Sequence, residues 1–355
     1  MNSDAIEISG YGFRYPAVVG RGLIAKAGEI ARNVVDRNCC AIIADQTSAR
    51  LFGDRVCQSL ASQNFSSQLI TIPAGEKSKS LTQVEKICDE MIKAGFDRSS
   101  FVLGLGGGVI GDISGFVAAI FQRGIPHIQI PTTLLAMVDS SIGGKTGVNL
   151  QAGKNLIGVF HHPALSICDV EALDSLPPQE MRQGYAEIIK HAIIRDAEMF
   201  HDLRRAKVGD WIELIRRNIA IKARIVSVDD RETSGERALL NFGHTVGHGI
   251  ERASDLKISH GDCVSIGMVA ACSISMKRAG LSATERDNVV TLLRNFELPT
   301  QLAAGVDREK IIDAIAHDKK FPAGKIRFVV TPKIGEAHVS SDVTTDDIRA
   351  AIAGL

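Results

Sequence analysis

Gly104-Leu105-Gly106-Gly107-Gly108-Val109-Ile110-Gly111-Asp112 decides how this chain is read. The run Phe101 to Leu105 just before it has the character of a buried strand, and Val109 to Phe121 just after it carries apolar residues at helical spacing. The glycines therefore fall on a strand-to-helix turn. Backbone N–H groups there approach a pyrophosphate closely, and the helix N-terminus adds positive potential. A merely tight turn is the plainer alternative, but four glycines among the six residues Gly104 to Val109 favour phosphate binding. The spacing is not the common GxGxxG fingerprint, so a standard Rossmann site is not required.

Outward from this turn, Cys40 to Ala44, Gln68 to Ile72 and Ile128 to Ile130 also read as buried strands, with Leu81 to Ala94 as a helix between them. That alternation predicts a parallel, Rossmann-like sheet with crossover helices. After Leu176-Pro177-Pro178 the pattern changes to long helical stretches: Met181 to Phe200, Trp211 to Ile225 and Thr245 to Ala253. The expectation is an α/β domain over residues 1–176 followed by a mostly α-helical domain over residues 177–355. Ile326 to Thr331 reads as an isolated strand within the latter, and no internal repeat is visible.

At 355 residues, 45% hydrophobic and 23% charged, the chain is long enough for two cored domains. Lys plus Arg equals Asp plus Glu at 41 each, so no overall field draws nucleic acid or an anionic membrane. An anionic ligand must be held by local clusters of base. The first ten residues do not read as a secretory signal, and no apolar run approaches bilayer length. Seven scattered cysteines without a CxxC pair suit reduced thiols and a cytoplasmic location.

Two further polar stretches follow strands. Pro73-Ala74-Gly75-Glu76-Lys77-Ser78-Lys79 lies where a crevice at the carboxyl ends of strands would form, and Glu76 could accept from a ribose hydroxyl, although charged residues before a helix are more often solvated caps. From Pro131 through Asp139, Lys145 and Gly153-Lys154-Asn155, an acid, two lysines and an amide gather in a glycine-rich stretch that reads as a ligand-binding loop.

A metal site rests on three places. His244 and His248 are four apart in Asn241-Phe242-Gly243-His244-Thr245-Val246-Gly247-His248, on one helical face, as two-histidine motifs require. His260-Gly261-Asp262 follows after a short loop. Glu187 lies on an earlier helix with Lys190 one turn away, and His191, four residues on, is the rival ligand there. Three N/O ligands with an open position suit catalytic zinc. Single histidines such as His161, His162, His201 and His317 read more plainly as surface or core-satisfied residues.

Taken together, PAGEKSKS, GGGVIGD, RGIPHIQIPTTLLAMVDSSIGGKTGVN, GKNLIGVF, GYAEIIKH, LNFGHTVGH, HGD and DKK resemble the dehydroquinate synthase family of the sugar phosphate cyclase superfamily, in family order from Pro73 to Lys320. The resemblance implies a dehydroquinate synthase-like fold in which Glu187, His244 and His260 bind one divalent metal, zinc or cobalt, while His248 becomes a proton-relay residue. It implies that Asp45, Gly75, Glu76, Lys79, Gly107, Gly108, Val109, Gly111, Asp112, Thr132, Thr133, Lys154 and Ser175 hold NAD. Asp139 and Lys145 would stand between nicotinamide and substrate. Lys190, Lys222, Arg237, Asn241, Asn155, Lys319 or Lys320, and Arg123 from the same or a neighbouring subunit would bind the substrate's phosphate, carboxylate and hydroxyls, with Lys190, Asn241 and His248 also serving catalysis. Ser175 stands where the family more often has Thr, and the stretch before Lys79 lacks the family's frequent aromatic.

By the same resemblance the substrate is the sugar phosphate 3-deoxy-D-arabino-heptulosonate 7-phosphate and the products are 3-dehydroquinate and phosphate, in the shikimate pathway to chorismate and aromatic amino acids. NAD is reduced and reoxidised within one turnover, the substrate's own phosphate takes the elimination proton, and the enzyme is a cytoplasmic homodimer. The rival readings are a cyclase making an inosose or valiolone, a metal-dependent polyol dehydrogenase, and an inactive binding protein. The last would need broken ligands or lysines, and none is broken.

Overall fold

A computed structural model describes residues 5–205, 209–233, 235–255, 257–316 and 326–355. These form two compact units, one from Met1–Pro177 with Asp210–Asp230 and the other from Pro178–Gly209 with Arg231–Leu355. Among the described residues no helix is long and apolar enough to cross a membrane.

The strands in chain order are β1 Ala5–Gly10, β2 Phe13–Gly20, β3 Cys39–Asp45, β4 Ser66–Ile72, β5 Ser100–Gly106, β6 His127–Pro131, β7 Lys145–Leu150, β8 Gly153–Phe160, β9 Leu165–Asp169, β10 Phe328–Lys333 and β11 Glu336–Ser340. In the first unit seven of them make one sheet in the order β1-β2-β9-β6-β5-β3-β4. All neighbours are parallel except β1 and β2, an antiparallel pair at one edge. The sequence reading found the central strands because both their faces are covered. Every residue of β5 is buried, and a strand buried on both faces is apolar throughout. It missed β1, β2 and β9. Pro16 interrupts β2, and it is tolerated because the ladder with β9 begins only at Ala17.

On the sheet, Ile43, Ile70, Ile72 and Val102 pack with Val84, Ile87, Ile113 and Val117 from the helices Leu81–Lys93 and Gly108–Ile120. Here the glycine run has a packing role. A Cβ on Gly104 would lie 2.1 Å from Ser114 Oγ, and one on Gly106 would lie 2.6 Å from Ile110 Cγ1. Strand and following helix thus touch backbone to side chain.

Several expectations change. The helix Trp211–Val228, given by the sequence to the second domain, belongs to the first unit, where it lies against β1, β2 and the turn Ala136–Ser140. Periodicity reveals an apolar face but not which core it covers. The stretch after β6 is a loop only in part, since Lys145, Lys154 and Asn155 sit on the antiparallel hairpin β7–β8. Met181 to Phe200 is two helices, Pro178–Arg195 and Ala197–Arg205, broken at Asp196, whose carboxylate accepts from Met199 N at 2.9 Å.

The second unit is built from those two helices with His244–Ala253, His260–Arg278, Ala283–Asn295, Arg308–Ala316 and Thr345–Ala353. The strand read as isolated is half of the hairpin β10–β11. Thr331 N donates to Ser275 Oγ at 3.0 Å and Gly335 N to Ile193 O at 2.8 Å, which fastens the hairpin to two helices.

In the first unit His127, on β6, is completely buried and stacks on His161 with ring centroids 5.0 Å apart. Its Nδ1 has no hydrogen-bond partner among the described residues, and burial, with help from His161 and His162, holds its pKa well below that of an ordinary histidine. Below about pH 6.5 the unfolded chain takes a proton that folded His127 refuses, so its share of stability is present above that pH and is lost as pH falls, by up to about 1.4 kcal/mol per pH unit. We expect His127→Phe, which keeps the ring and deletes the unmet polar atom, to flatten the fall in melting temperature between about pH 6.5 and 5. Equal slopes for the two proteins in thermal melts would show that His127 is not the responsible group.

Candidate active site

Three helix positions of the second unit converge. Glu187 lies in the middle of Pro178–Arg195, and His244 and His260 are the first residues of their helices. Glycine lets these helices approach. A Cβ on Gly261 would be 2.5 Å from Gln183 Cα, and one on Gly267 would be 2.0 Å from Gly243 O. Gly243 itself, the N-cap before His244, has φ 77°, a left-handed value that a side chain would strain.

Glu187 is completely buried. One oxygen, Oε2, takes the ammonium of equally buried Lys190. The other, Oε1, makes no hydrogen bond, yet lies 3.4 Å from His244 Nε2 and 3.5 Å from His260 Nε2. The donor atoms of the three residues are all within 4.8 Å of one another. An orphaned buried carboxylate oxygen between two imidazole nitrogens is costly unless something shared bridges them, and these N/O donors fit a divalent ion. His191 is fully buried one turn further along and is not in this trio, so Glu187 is the residue of its helix that faces the histidine pair.

The two imidazoles differ electrically. Burial, helped by Lys190 and His260 and opposed by Glu187, pulls His244 down to about 3. Burial also works against charge on His260, but the carboxylates of Glu187 and Glu251 outweigh it and lift that histidine to about 10. Glu187 opposes its own desolvation with Lys190, His244 and His260, which hold it well below the ordinary carboxylate range. His248 stands edge-on to His244, with ring centroids 5.3 Å apart. In the same unit, Arg237 is buried at the start of the turn Arg237–Asn241, and Asn241 Nδ2 donates to Glu232 Oε1 at 3.2 Å.

The first unit gathers a separate polar group. The N-cap of Gly108–Ile120 is Gly107, which offers no side-chain acceptor, so the N–H groups of Gly108 and Val109 head a helix open to an anion. The buried ammonium of Lys79 pairs with Asp112 and with the amide oxygen of Asn155. Burial raises the Asp112 carboxyl despite Lys79. Asn155, expected with the substrate residues, therefore keeps company with the dinucleotide set. Glu76 Oε1 accepts from Asn149 Nδ2 at 2.7 Å just after Gly75, and Gly111 backs onto the Gln129 amide. Lys222 donates to both the backbone and the carboxylate of Asp139, at 2.7 and 2.6 Å.

Other expected residues are more committed to local structure. Asp45 caps the turn Gln46–Ser48, accepting from Thr47 N at 2.8 Å, Ser48 N at 3.0 Å and Ser48 Oγ at 2.8 Å. Thr133 Oγ1 accepts from Ala136 N at 3.2 Å, Ser175 Oγ donates to Ala172 O at 3.0 Å, and Thr132 is buried 3.4 Å from Ser48 Oγ. Lys145 is exposed and Lys154 half-buried on their hairpin. Arg123 is exposed in a run of positive φ, with Gln122 at 51°, Arg123 at 69° and Gly124 at 118°. Lys319 and Lys320, with His317, lie outside the described residues. The residue that the sequence reading overlooked is Glu251, buried on the His244 helix with Oε1 2.9 Å from His260 Nδ1. Its spacing, three after His248 on the same helix, was the available signal.

The model of the 3-dehydroquinate synthase N-terminal region matches residues 69–183, and that of the 3-dehydroquinate synthase C-terminal region matches residues 184–321. The 3-dehydroquinate synthase of Symbiobacterium thermophilum is 42% identical over 353 residues, 96% of this chain and 98% of that protein. Among solved structures, 2-epi-5-epi-valiolone synthase from Streptomyces hygroscopicus subsp. jinggangensis, with NAD⁺ and Zn²⁺ bound, has TM-score 0.86 at 30% identity over 96% of each chain. A 2-deoxy-scyllo-inosose synthase complexed with carbaglucose-6-phosphate, NAD⁺ and Co²⁺ has TM-score 0.87, covering 99% of each chain. At 23% identity it speaks for the fold alone. Two family models end to end, and relatives at this identity along nearly the full length, leave one conclusion: the chain belongs to the 3-dehydroquinate synthase family.

Proposed function

We propose that this chain is a 3-dehydroquinate synthase, converting 3-deoxy-D-arabino-heptulosonate 7-phosphate to 3-dehydroquinate and phosphate with NAD and one divalent ion, zinc or else cobalt. The observation that carries the reading is the orphaned Glu187 Oε1 between the Nε2 atoms of His244 and His260, in a chain of this family. Glu187, His244 and His260 are the ligands. When bound, NAD supplies reversible hydride transfer at one carbinol carbon, and the ion supplies Lewis-acid polarisation of its oxygen.

In the reaction overall the heptulosonate loses phosphate and closes to a carbocycle without net oxidation, so no hydride acceptor is consumed. In the first unit Gly108 and Val109 would offer their N–H groups to the dinucleotide phosphates. Gly75, Glu76, Lys79, Gly107, Gly111, Asp112, Thr132, Thr133, Lys154, Ser175 and the Asp45 turn complete that cradle. Lys222, fixed by Asp139, is a preoriented cation, and Lys145 is an exposed one at the start of β7. In the second unit buried Lys190 and Arg237 serve oxyanions as charge-assisted donors, and Asn241 serves hydroxyls. Because the ammonium of Lys190 is already held by Glu187, it reaches the reaction without reorganising, which is where preorganised charge is worth most. His248 relays a proton beside His244. A cytoplasmic homodimer goes with this reading, and Arg123 is its candidate contributor to a neighbouring subunit.

Purified protein given the heptulosonate phosphate, NAD⁺ and Zn²⁺ is expected to release phosphate with no standing NADH absorbance, and Lys145→Ala to keep its metal while slowing turnover about a hundredfold. No phosphate release would remove the assignment. NADH accumulating with glycerol would point to a polyol dehydrogenase, and preference for a ketose phosphate without the carboxylate to a valiolone-type cyclase. For the metal, His260→Ala is expected to lose the ion by elemental analysis while melting as a folded protein. Glu187→Ala is expected to lose both the ion and about 3–5 kcal/mol of unfolding free energy, because Lys190 is left buried without its partner. A stoichiometric ion retained by His260→Ala would refute the ligand set.

A further inference from the structure

Glu251 has no place in the ligand set or among the groups assigned to NAD or substrate, yet it is buried and aimed at a ligand. It follows His244 by seven residues and His248 by three on the helix His244–Ala253, and its Oε1 is 2.9 Å from His260 Nδ1. A carboxylate can only accept. The contact therefore makes Nδ1 the donor of His260, so that, in the neutral ring that a metal requires, the Nε2 lone pair is left directed at the side where Glu187 Oε1 lies, 3.5 Å away. His244 meets the same requirement by other means, with Nδ1 3.2 Å from the carbonyl oxygen of Phe242. Both imidazoles thus present Nε2, one fixed by backbone and the other by a side chain. The second is also the less enclosed: the His260 side chain is 30% exposed and that of His244 11%. An imidazole with fewer walls depends more on its hydrogen bond for orientation.

We propose that Glu251 is the positioning residue of the metal centre, fixing the tautomer and ring orientation of His260 and thereby the centre's affinity for its divalent ion. The proposal rests on the reading of Glu187, His244 and His260 as ligands. Carboxylate partners that orient a metal-bound histidine commonly govern affinity by ten- to hundredfold. His248, Glu251 and His260 also form a trio with donor atoms within 4.8 Å of one another. In that arrangement Glu251 would be a ligand to a second ion, at the expense of its bond to His260. The 2.9 Å contact favours positioning over ligation.

The test uses the full chain stripped of metal and titrated with Zn²⁺ against a chromophoric chelator, and with Co²⁺ followed by its visible absorption. Glu251→Ala is expected to bind one ion about 10- to 100-fold more weakly, with a changed Co²⁺ spectrum. Glu251→Gln, whose amide oxygen can still accept from Nδ1, is expected to recover most of the loss and to hold the spectrum near that of the parent. Glu251→Leu, which fills more of the buried space than Ala but has no oxygen to accept from Nδ1, is expected to weaken binding as Ala does and serves where the Ala variant does not fold. Parent-like affinity and spectrum in Glu251→Ala, or in Glu251→Leu where the Ala variant does not fold, would overturn the positioning role. So would two ions per parent chain, one of them lost on substitution. His260→Ala run alongside separates the two levels: if it keeps the ion, the ligand reading itself has failed, whereas if it loses the ion and Glu251→Ala does not weaken binding, only the role of Glu251 has.

Discussion

A carboxylate removed entirely from water at Glu187 is the constraint on which the second unit is organised. Desolvating such a charge costs several kcal/mol unless partners surround it. Lys190 supplies a full positive charge to one oxygen, while the other faces two imidazoles without a hydrogen bond. As a salt bridge this is an incomplete solution, and it would be a complete one as the ligand set proposed above. The helices that bring the parts together can approach only because Gly261 and Gly267 leave room for the neighbouring backbone, so that helix packing and ligand geometry share the same residues. An alanine at either place would move a ligand before it touched one.

The opposite behaviour of His244 and His260 follows from this arrangement. His244, deep and beside Lys190, resists a proton, while His260 lies against two carboxylates and attracts one. A divalent ion would replace that proton on His260 while meeting no charge on His244. Glu251 is the group that makes the two nitrogens of His260 unequal.

Much of this was legible in the sequence, and what was not has physical reasons. Strands covered on both faces announce themselves by unbroken apolar runs, as β5 does. The edge strand β1, with Glu7 and Ser9, and β2, with Pro16, do not. The helix Trp211–Val228 was visible as a helix, but its periodicity holds no record of which core it joins. The spacing of His244 and His248 was a true sign of one helical face, yet spacing could not tell ligand from neighbour. That distinction depends on where the helix Pro178–Arg195 directs Glu187. Glu251 escaped because a buried carboxylate whose partner is a histidine nine residues on leaves no mark beyond its helical phase. The glycines after β5 were read for what they offer a phosphate, whereas Gly104 and Gly106 are also held by their contact with Ser114 and Ile110.

Among the ion pairs that have a buried partner, the buried side differs. Asp347 is a buried acid that Lys277 and Arg278 reach from the more exposed side, an arrangement that pins the helix Thr345–Ala353 and lets the cations keep much of their hydration. At Lys79 and Lys222 it is the ammonium that is the more buried, beside Asp112 and Asp139, and at Lys190 both the ammonium and Glu187 are. Burying a lysine sacrifices the flexible stem's freedom and the head's strong hydration, and an apolar pair of similar volume would serve stability as well or better. A fold that keeps three such lysines is therefore not explained by its own cohesion. They are accounted for if each ammonium serves an anion that binds from outside the chain, with its acid holding the charge in place meanwhile. The neutral overall charge of the chain is consistent with this, since positive potential is then concentrated at a few fixed points and not spread over the surface.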